Sequence, residues 1–307
     1  MDREELLARV AREVFGLSGP ATLLPGDRDL NARVGDAVVK ICAEGTDPRT
    51  LALQDAVLDH LAHSPAAHLV PGVLTPVTDP WVVVGGVRRP VRALEWLDGP
   101  LFWDLPHPDP VLLRSLGRAV AEVDRALSDL RQVAPGSRSA WHPLDAAGLV
   151  TYLPALSDPA KRSLVGMVLQ DFATSLAPVL AGLPDQLIHG DVNDHNVVVA
   201  DEGQVLGLID FGDLMTAPRV CDLAIAAAYA TLHQQEPVSG IHHVVAGYQE
   251  VVPLTAAELV VVEPLVRTRL ATSLVMQAHE RTRQPDNDYL LVSQEDAWRV
   301  LQLLVGT

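Results

Sequence analysis

The sequence predicts an α+β fold in two parts, and three observations carry that prediction. Residues 1–97 hold short β-branched runs set between turns rich in Gly, Asp and Pro, the pattern of paired strands. Residues 98–307 are dominated by stretches in which apolar side chains recur at helical spacing. That helical part is interrupted once, within residues 187–213, by two apolar runs flanking a polar turn, which reads as a β-hairpin. The expected domains are a mostly β part with helices at 1–97 and a helical part at 98–307.

Each element follows from its residues. The opening MDREELLARVAREVFGL is an amphipathic helix with acids in its first turn. Runs at 21–24 and 32–34 flank a turn-prone segment, PGDRDLN. AVVKI at 37–41 is a strand carrying one lysine, Lys40. Residues 49–63 form a helix with Leu51, Leu58 and Leu61 at apolar positions. Runs at 81–84 and 87–96 make a hairpin about Gly85 and Gly86; Pro90 lacks a ladder N–H, so an irregular or edge position is expected there. This strand ends in LEWLDGP at 94–100, a strand-to-turn switch that reads equally as a linker. Beyond it, Leu112, Leu116, Val120, Val123 and Leu127 recur on one face of a helix at 110–130, a core stripe. A short helix running to Leu153 and stopped by Pro154 is expected next, then a helix at 161–180. After the hairpin come an apolar helix at 224–232 and final helices at 242–251, 255–284 and 295–305, with a break at 286–289.

Composition narrows the partners. At 307 residues the chain is long enough for two parts with a full core. A net charge of −16 argues against nucleic acid. Acidity is an ordinary solubility feature, and it would also suit a substrate bearing ammonium groups. No apolar run approaches the ~18 residues of a membrane span, so no membrane partner is expected, and the first helix is not a signal peptide. The two cysteines, Cys42 and Cys221, lack metal-ligand spacing. A reduced, cytoplasmic protein with a buried Cys221 is the expectation. Nothing in the sequence speaks to oligomeric state.

The hairpin carries the chemistry. Its strands lie at 196–200 and 205–209 about the turn DEGQ. Antiparallel pairing sets Asn196 and Asp210 side by side at the open end. Asp191 lies five residues before Asn196, in the loop that feeds the hairpin. Mg2+ takes hard oxygen ligands and keeps several waters, so one carboxylate, one amide oxygen and nucleotide phosphates suffice. Phosphoryl transfer also needs a carboxylate free of metal, to orient the attacking hydroxyl and accept its proton. Asp191 suits that base; Asn196 and Asp210 suit the metal. Any one of these residues alone is explained by turn chemistry; the three at this spacing are not.

HGDVNDHN followed by IDFGD resembles the aminoglycoside-phosphotransferase and hydroxylysine-kinase family of kinase-like enzymes. NDHN and the extra acid Asp213 look most like its hydroxylysine-kinase branch. HGD stands where protein kinases carry His-Arg-Asp, which argues against a protein kinase. The resemblance extends softly to AGYQEVVPLTAAEL and VRTRLATS and so covers nearly the whole chain. It implies a two-lobed protein-kinase-like fold and transfer of a γ-phosphoryl group from ATP or GTP, with Mg2+, to a small-molecule hydroxyl.

The same resemblance assigns roles. Asp27 and Asn31 fall in its nucleotide-covering turn, although the segment also reads as an ordinary hairpin turn. Lys40 falls where a lysine contacts the α- and β-phosphates. Protein kinases pair that lysine with a glutamate; here the helix offers Gln54, which can hydrogen-bond but not neutralise it. Backbone groups of Glu95 and Leu97 fall where a hinge binds a purine edge. Asp222 holds the catalytic loop by its backbone, and His189 supports that loop from beneath. His195 is a packing or hydrogen-bonding residue. Asp213 either holds a substrate ammonium or caps the next loop. The resemblance makes a hydroxylated amino acid such as 5-hydroxylysine the leading acceptor, and an aminoglycoside, choline or ethanolamine the alternative. A nucleotide-holding module without turnover is the reading from another class.

Overall fold

The computed structural model describes residues 2–26, 29–130, 140–200, 203–232, 234–283 and 294–306. The chain forms two compact units, Met1–Gly99 and Pro100–Thr307.

In the first unit, α1 (Arg3–Phe15) starts at Asp2, whose carboxylate accepts the Arg3 N–H, and stops at Gly16 with φ 69. Five strands follow, with one long helix among them: β1 (Ala21–Leu24), β2 (Leu30–Val34), β3 (Ala37–Ile41), α2 (Pro48–Ala62), β4 (Trp81–Val84) and β5 (Val87–Glu95). The strands pair antiparallel in the order β1-β2-β3-β5-β4. Strand residues alternate between faces. Ala32, Val34, Val39, Ile41, Val91 and Ala93 therefore share one face, and α1 covers it with Leu7, Val10, Ala11 and Val14. The other face carries Asn31, Lys40 and Arg92, which the register sets in a row across β2, β3 and β5. Pro90 does not break its strand, and β5 is an inner strand. Pairing with β3 ends at Val91, and just beyond it the Pro90 carbonyl accepts the Cys42 N–H at 2.9 Å, so the missing Pro90 N–H falls at the end of that ladder. On α2 the buried positions are led by Leu53, Val57, Leu58 and Leu61, with Leu51 only half-buried.

The second unit is mainly helical. It contains α3 (Pro110–Leu127), α4 (Pro159–Asp171), α5 (Ala177–Leu180), β6 (Asp185–Ile188), β7 (Val197–Val199), β8 (Val205–Leu208), β9 (Met215–Pro218), α6 (Val220–Ala230), α7 (Pro237–Val251), α8 (Ala256–Arg283) and α9 (Gln294–Val305). Nearly every residue of α6 is buried, so this uniformly apolar helix is the unit's central one. Helices α3 and α7 meet backbone to backbone. A Cβ at Gly117 would lie 2.0 Å from the Val244 carbonyl oxygen, and one at Gly247 would lie 2.0 Å from that of Arg114.

Three expectations change here. Pro143–Ala155 winds as a 3-10 helix and runs through Pro154 rather than stopping before it. The expected helix at 161–180 is divided by a π-wound turn, Phe172–Leu176, just ahead of Pro178, whose missing N–H favours such a local rearrangement. Within Pro159–Leu180 an 18-residue window reaches a mean hydropathy of 1.4, so by length and composition alone this stretch could cross a membrane. Its Val165, Val168, Leu169, Phe172, Leu176 and Leu180 are buried within the unit. Finally, β6 and β9 form a ribbon that the sequence did not announce.

Candidate active site

Two small sheets hold two loops together. In the β7–β8 hairpin Val197 faces Leu208 and Val198 faces Gly207, with an irregularity after Val198. The Ile209 N–H donates to the Asn196 carbonyl at 2.9 Å. Asn196 thus lies beside the Ile209-Asp210 step, as the turn position had implied. The second sheet pairs Ile188 with Met215. The loop at 189–196 therefore leaves β6 and enters β7, while the loop at 209–214 leaves β8 and enters β9. Both loops are tied at both ends. They touch at Gly190, which has φ +83; a Cβ there would sit 2.3 Å from the Asp213 carbonyl oxygen.

Two buried side chains fasten the loops. Asp222, in the first turn of α6, accepts the N–H of His189 at Oδ2 and that of Gly190 at Oδ1, each at 2.8 Å. His189 accepts the Asp191 N–H at Nδ1, 3.2 Å, so its ring proton resides on Nε2. Nε2 then donates to the Ile209 carbonyl at 3.0 Å, linking one loop to the other. Beneath them Asp124 of α3 accepts from the Tyr248 hydroxyl at 2.8 Å. Burial, and then the charge of Asp222, push the Asp124 carboxyl well above the usual range. Asp124 is the partner that carries the proton between the two acids, since Asp222 already accepts two N–H groups.

Asp191 is held on both oxygens. Oδ1 accepts from Arg269 Nη2 at 2.6 Å. Oδ2 accepts from Asn193 Nδ2 at 2.8 Å and Asn196 Nδ2 at 3.3 Å. Asn196 Nδ2 also reaches the Asp191 carbonyl at 2.9 Å, so the amide oxygen of Asn196 is the end available to a cation. Asp210 has φ 62, the only non-glycine positive φ among the described residues. Such a conformation costs about 1–3 kcal/mol and is held by surrounding structure; here buried Phe211 follows it and Ile209 is bonded on both sides. Among the described residues no three His, Cys, Asp or Glu side chains form a metal cluster. The local donors are one amide oxygen and carboxylates, a sparse hard-oxygen set. That fits Mg2+, which keeps waters and takes phosphate oxygens as ligands.

Asp213 follows on the same loop and remains open to solvent. Partial burial, then the charges of Asp191 and Asp210, push its carboxyl up to about 6. His195 stacks on Trp103 with ring centroids 4.8 Å apart. Asp194 is buried and its carboxyl is pushed up to about 7, chiefly by that burial. Arg269, in α8, is the site residue whose role sequence reading missed. Its side chain is 8% exposed, and its guanidinium lies 5.2 Å from the Trp141 ring and 5.3 Å from the Tyr229 ring. It stands 78 residues from Asp191, and although it lies within VRTRLATS, nothing local ties its side chain to the loop at 189–196. Asn193 was also missed, although it lies inside the motif.

In the first unit, Asn31 braces its turn by donating to the Pro25 carbonyl at 3.3 Å. Asp27 lies outside the described residues. Gln54, which the sequence offers as a possible partner of Lys40, bonds to Arg92. The Gln54 amide oxygen accepts from Arg92 Nη1, and Asp55 accepts from Arg92 Nη2 at 2.5 Å. Two neighbouring oxygens suit a planar guanidinium fork better than a point-charge ammonium. The Glu95 N–H donates to the Gly72 carbonyl at 2.9 Å, and its carboxylate accepts the Gly72 N–H at 3.1 Å. Leu97 is half-buried, just beyond β5.

Residues 26–258 match the model of the phosphotransferase enzyme family (APH). The chain is 32% identical over 205 residues to hydroxylysine kinase of Mus musculus, covering 62% of this chain and 54% of that protein. It is 32% identical over 225 residues to hydroxylysine kinase of Bos taurus, with 69% and 60% covered. The chain thus spans little more than half the length of these curated relatives. Among solved structures it is similar to an amicoumacin kinase in complex with AMP-PNP, Ca2+ and Ami. The TM-score is 0.71 at 14% identity, and 97% of this chain and 93% of that one are covered. The α+β kinase-like fold is that of these small-molecule kinases.

Proposed function

Because the chain belongs to the phosphotransferase enzyme family, we propose that it is a small-molecule kinase. It transfers the γ-phosphoryl group of ATP or GTP to a hydroxyl of an amine-bearing acceptor, foremost a hydroxylated amino acid such as 5-hydroxylysine. The observation that carries this reading is the pair of locked loops presenting Asp191, Asn196 and Asp210. Similarity to hydroxylysine kinases supports the acceptor class.

Asp191 orients the acceptor hydroxyl and takes its proton as the oxygen bonds to the γ-phosphorus. The bond from that phosphorus to the β–γ bridging oxygen breaks, and the nucleoside diphosphate leaves. Asn196 and Asp210 would hold Mg2+, which neutralises charge on the phosphates. Lys40 steadies the phosphates from its strand. With the Glu95 N–H engaged by Gly72, the Glu95 carbonyl and the Leu97 N–H are the backbone groups offered to a purine edge. Asn31 braces the turn assigned to cover the nucleotide. Asp213, ionised above about pH 6, attracts the acceptor ammonium.

The test is nucleoside-diphosphate release with ATP and GTP in parallel, each with Mg2+, against 5-hydroxylysine, homoserine, ethanolamine, choline and aminoglycosides. Release dependent on a hydroxylated amino acid is expected. Release with an aminoglycoside or choline alone would replace the acceptor class, and nucleotide binding without turnover on any acceptor would favour the non-catalytic module. Asp191→Asn should lower kcat by about 10²–10⁴-fold while calorimetry shows nucleotide·Mg2+ binding retained. Asp210→Asn should lose both.

A further inference from the structure

We propose that Arg269 is the positioning residue of the acceptor-activating step, acting through Asp191 and not by its own contact with the acceptor. The inference rests on the phosphoryl-transfer reading above. The terminal torsion of an aspartate is broad and roughly two-fold, so rotamer preference alone does not fix the plane of the Asp191 carboxylate. The two neutral amides that reach it share one oxygen, Oδ2, at 2.8 and 3.3 Å. Among the described residues, Arg269 alone engages the other oxygen, at 2.6 Å, a charge-assisted bond of the stronger kind.

Arg269 is itself immobilised. It rises from the 28-residue helix α8, is 8% exposed, and lies against the rings of Trp141 and Tyr229. The catalytic loop is thereby held from two sides: its backbone by Asp222 of α6, and its reacting side chain by Arg269 of α8.

The hydrogen-bonding pattern favours positioning over stability. Arg269 Nε is buried without a hydrogen-bond partner among the described residues. A buried donor left unmatched costs about 1–3 kcal/mol, so an arginine kept for stability alone would be placed to use it. The guanidinium is instead placed for Asp191.

The test compares wild type, Arg269→Gln, Arg269→Lys, Asp191→Asn and the Asp191→Asn/Arg269→Gln double variant on the acceptor that wild type uses. Turnover, nucleotide·Mg2+ affinity and melting temperature are measured for each. Arg269→Gln is expected to lower kcat by about 100-fold, the scale of a small misplacement at a reacting centre, with nucleotide affinity unchanged. Arg269→Lys, which keeps the charge but not the fork, should recover part of the loss. In the Asp191→Asn background, Arg269→Gln should cause no further loss. Near-normal kcat in Arg269→Gln, or an equal loss in the Asp191→Asn background, overturns the proposal. If Arg269→Gln fails to fold, Arg269→Lys decides: a folded variant with normal kcat overturns it, and one with lowered kcat and intact nucleotide affinity supports it. A wild type silent on every acceptor sinks the kinase reading and this inference with it. An active wild type with an equally active variant sinks the inference alone.

Discussion

Gly190 stands where two backbones meet. Its φ of +83 lies in the left-handed region, and the atom a Cβ would strike is a backbone oxygen, Asp213 O, at 2.3 Å. A backbone atom cannot swing aside as a side-chain tip can, so the loops themselves would have to part. Gly190→Ala should therefore lower stability by at least about 2 kcal/mol, strain at a left-handed position alone costing about 1–3. Denaturant titration measures this. It should also lower turnover, because Asp191 follows directly. A stable, fully active Gly190→Ala protein would mean that the two loops are not packed as described. At the same scale, the type of residue 191 was legible in the sequence, whereas its partner was not. The motif HGDVNDHN is local, but Arg269 reaches Asp191 from 78 residues away. Likewise Arg92 takes the oxygens of Gln54 and Asp55 because strand register places it beside Lys40.

At the scale of elements, the decisive joint is the start of α6. One carboxylate, Asp222, accepts two buried N–H groups from the loop at 189–196. Asp222→Ala leaves both donors unmatched, at about 1–3 kcal/mol each. Urea unfolding should show a loss of about 2–5 kcal/mol. Asp222→Asn keeps one acceptor oxygen and should fall between it and wild type. A loss no larger than that of an exposed-site control would show that the loop has other anchors. The β7–β8 hairpin was readable because turn and alternation fix its register locally. The β6–β9 ribbon was not: Met215–Pro218 is four residues long, ends in proline, and becomes a strand only through a distant partner. The 3-10 winding at Pro143–Ala155 and the π turn at Phe172–Leu176 were hidden for a related reason. Apolar spacing does not distinguish windings that differ by a fraction of a residue per turn.

At the scale of the whole molecule, three helices of the second unit converge on one proton. Asp124 of α3 lies between Tyr248 of α7 and Asp222 of α6. Burial, followed by the charge of Asp222, raises its folded pKa well above the ordinary value of 3.8. Unfolded chain then binds fewer protons than folded chain at this site. Its contribution to stability is complete below about pH 4 and declines as pH rises toward the folded pKa, by up to about 1.4 kcal/mol per pH unit. Asp124→Asn mimics the protonated acid and does not titrate. Its melting temperature should gain on wild type as pH is raised from 4 to 8. A difference that is constant with pH would show that Asp124 does not hold the proton.

The sequence by itself determined the α+β division, most helices, the hairpin with its register, and the spacing that brings Asp191, Asn196 and Asp210 together. All of these are written in local spacing, where period, turn residues and residue type act on neighbours. Tertiary structure alone decided what holds those side chains. Arg269 against Asp191, Arg92 against Gln54 and Asp55, Asp124 beneath Asp222, and β9 beside β6 each join residues far apart along the chain. Such contacts arise from packing and burial, which make an unpartnered charge costly and a distant partner effective. No window of the sequence contains both halves of those pairs.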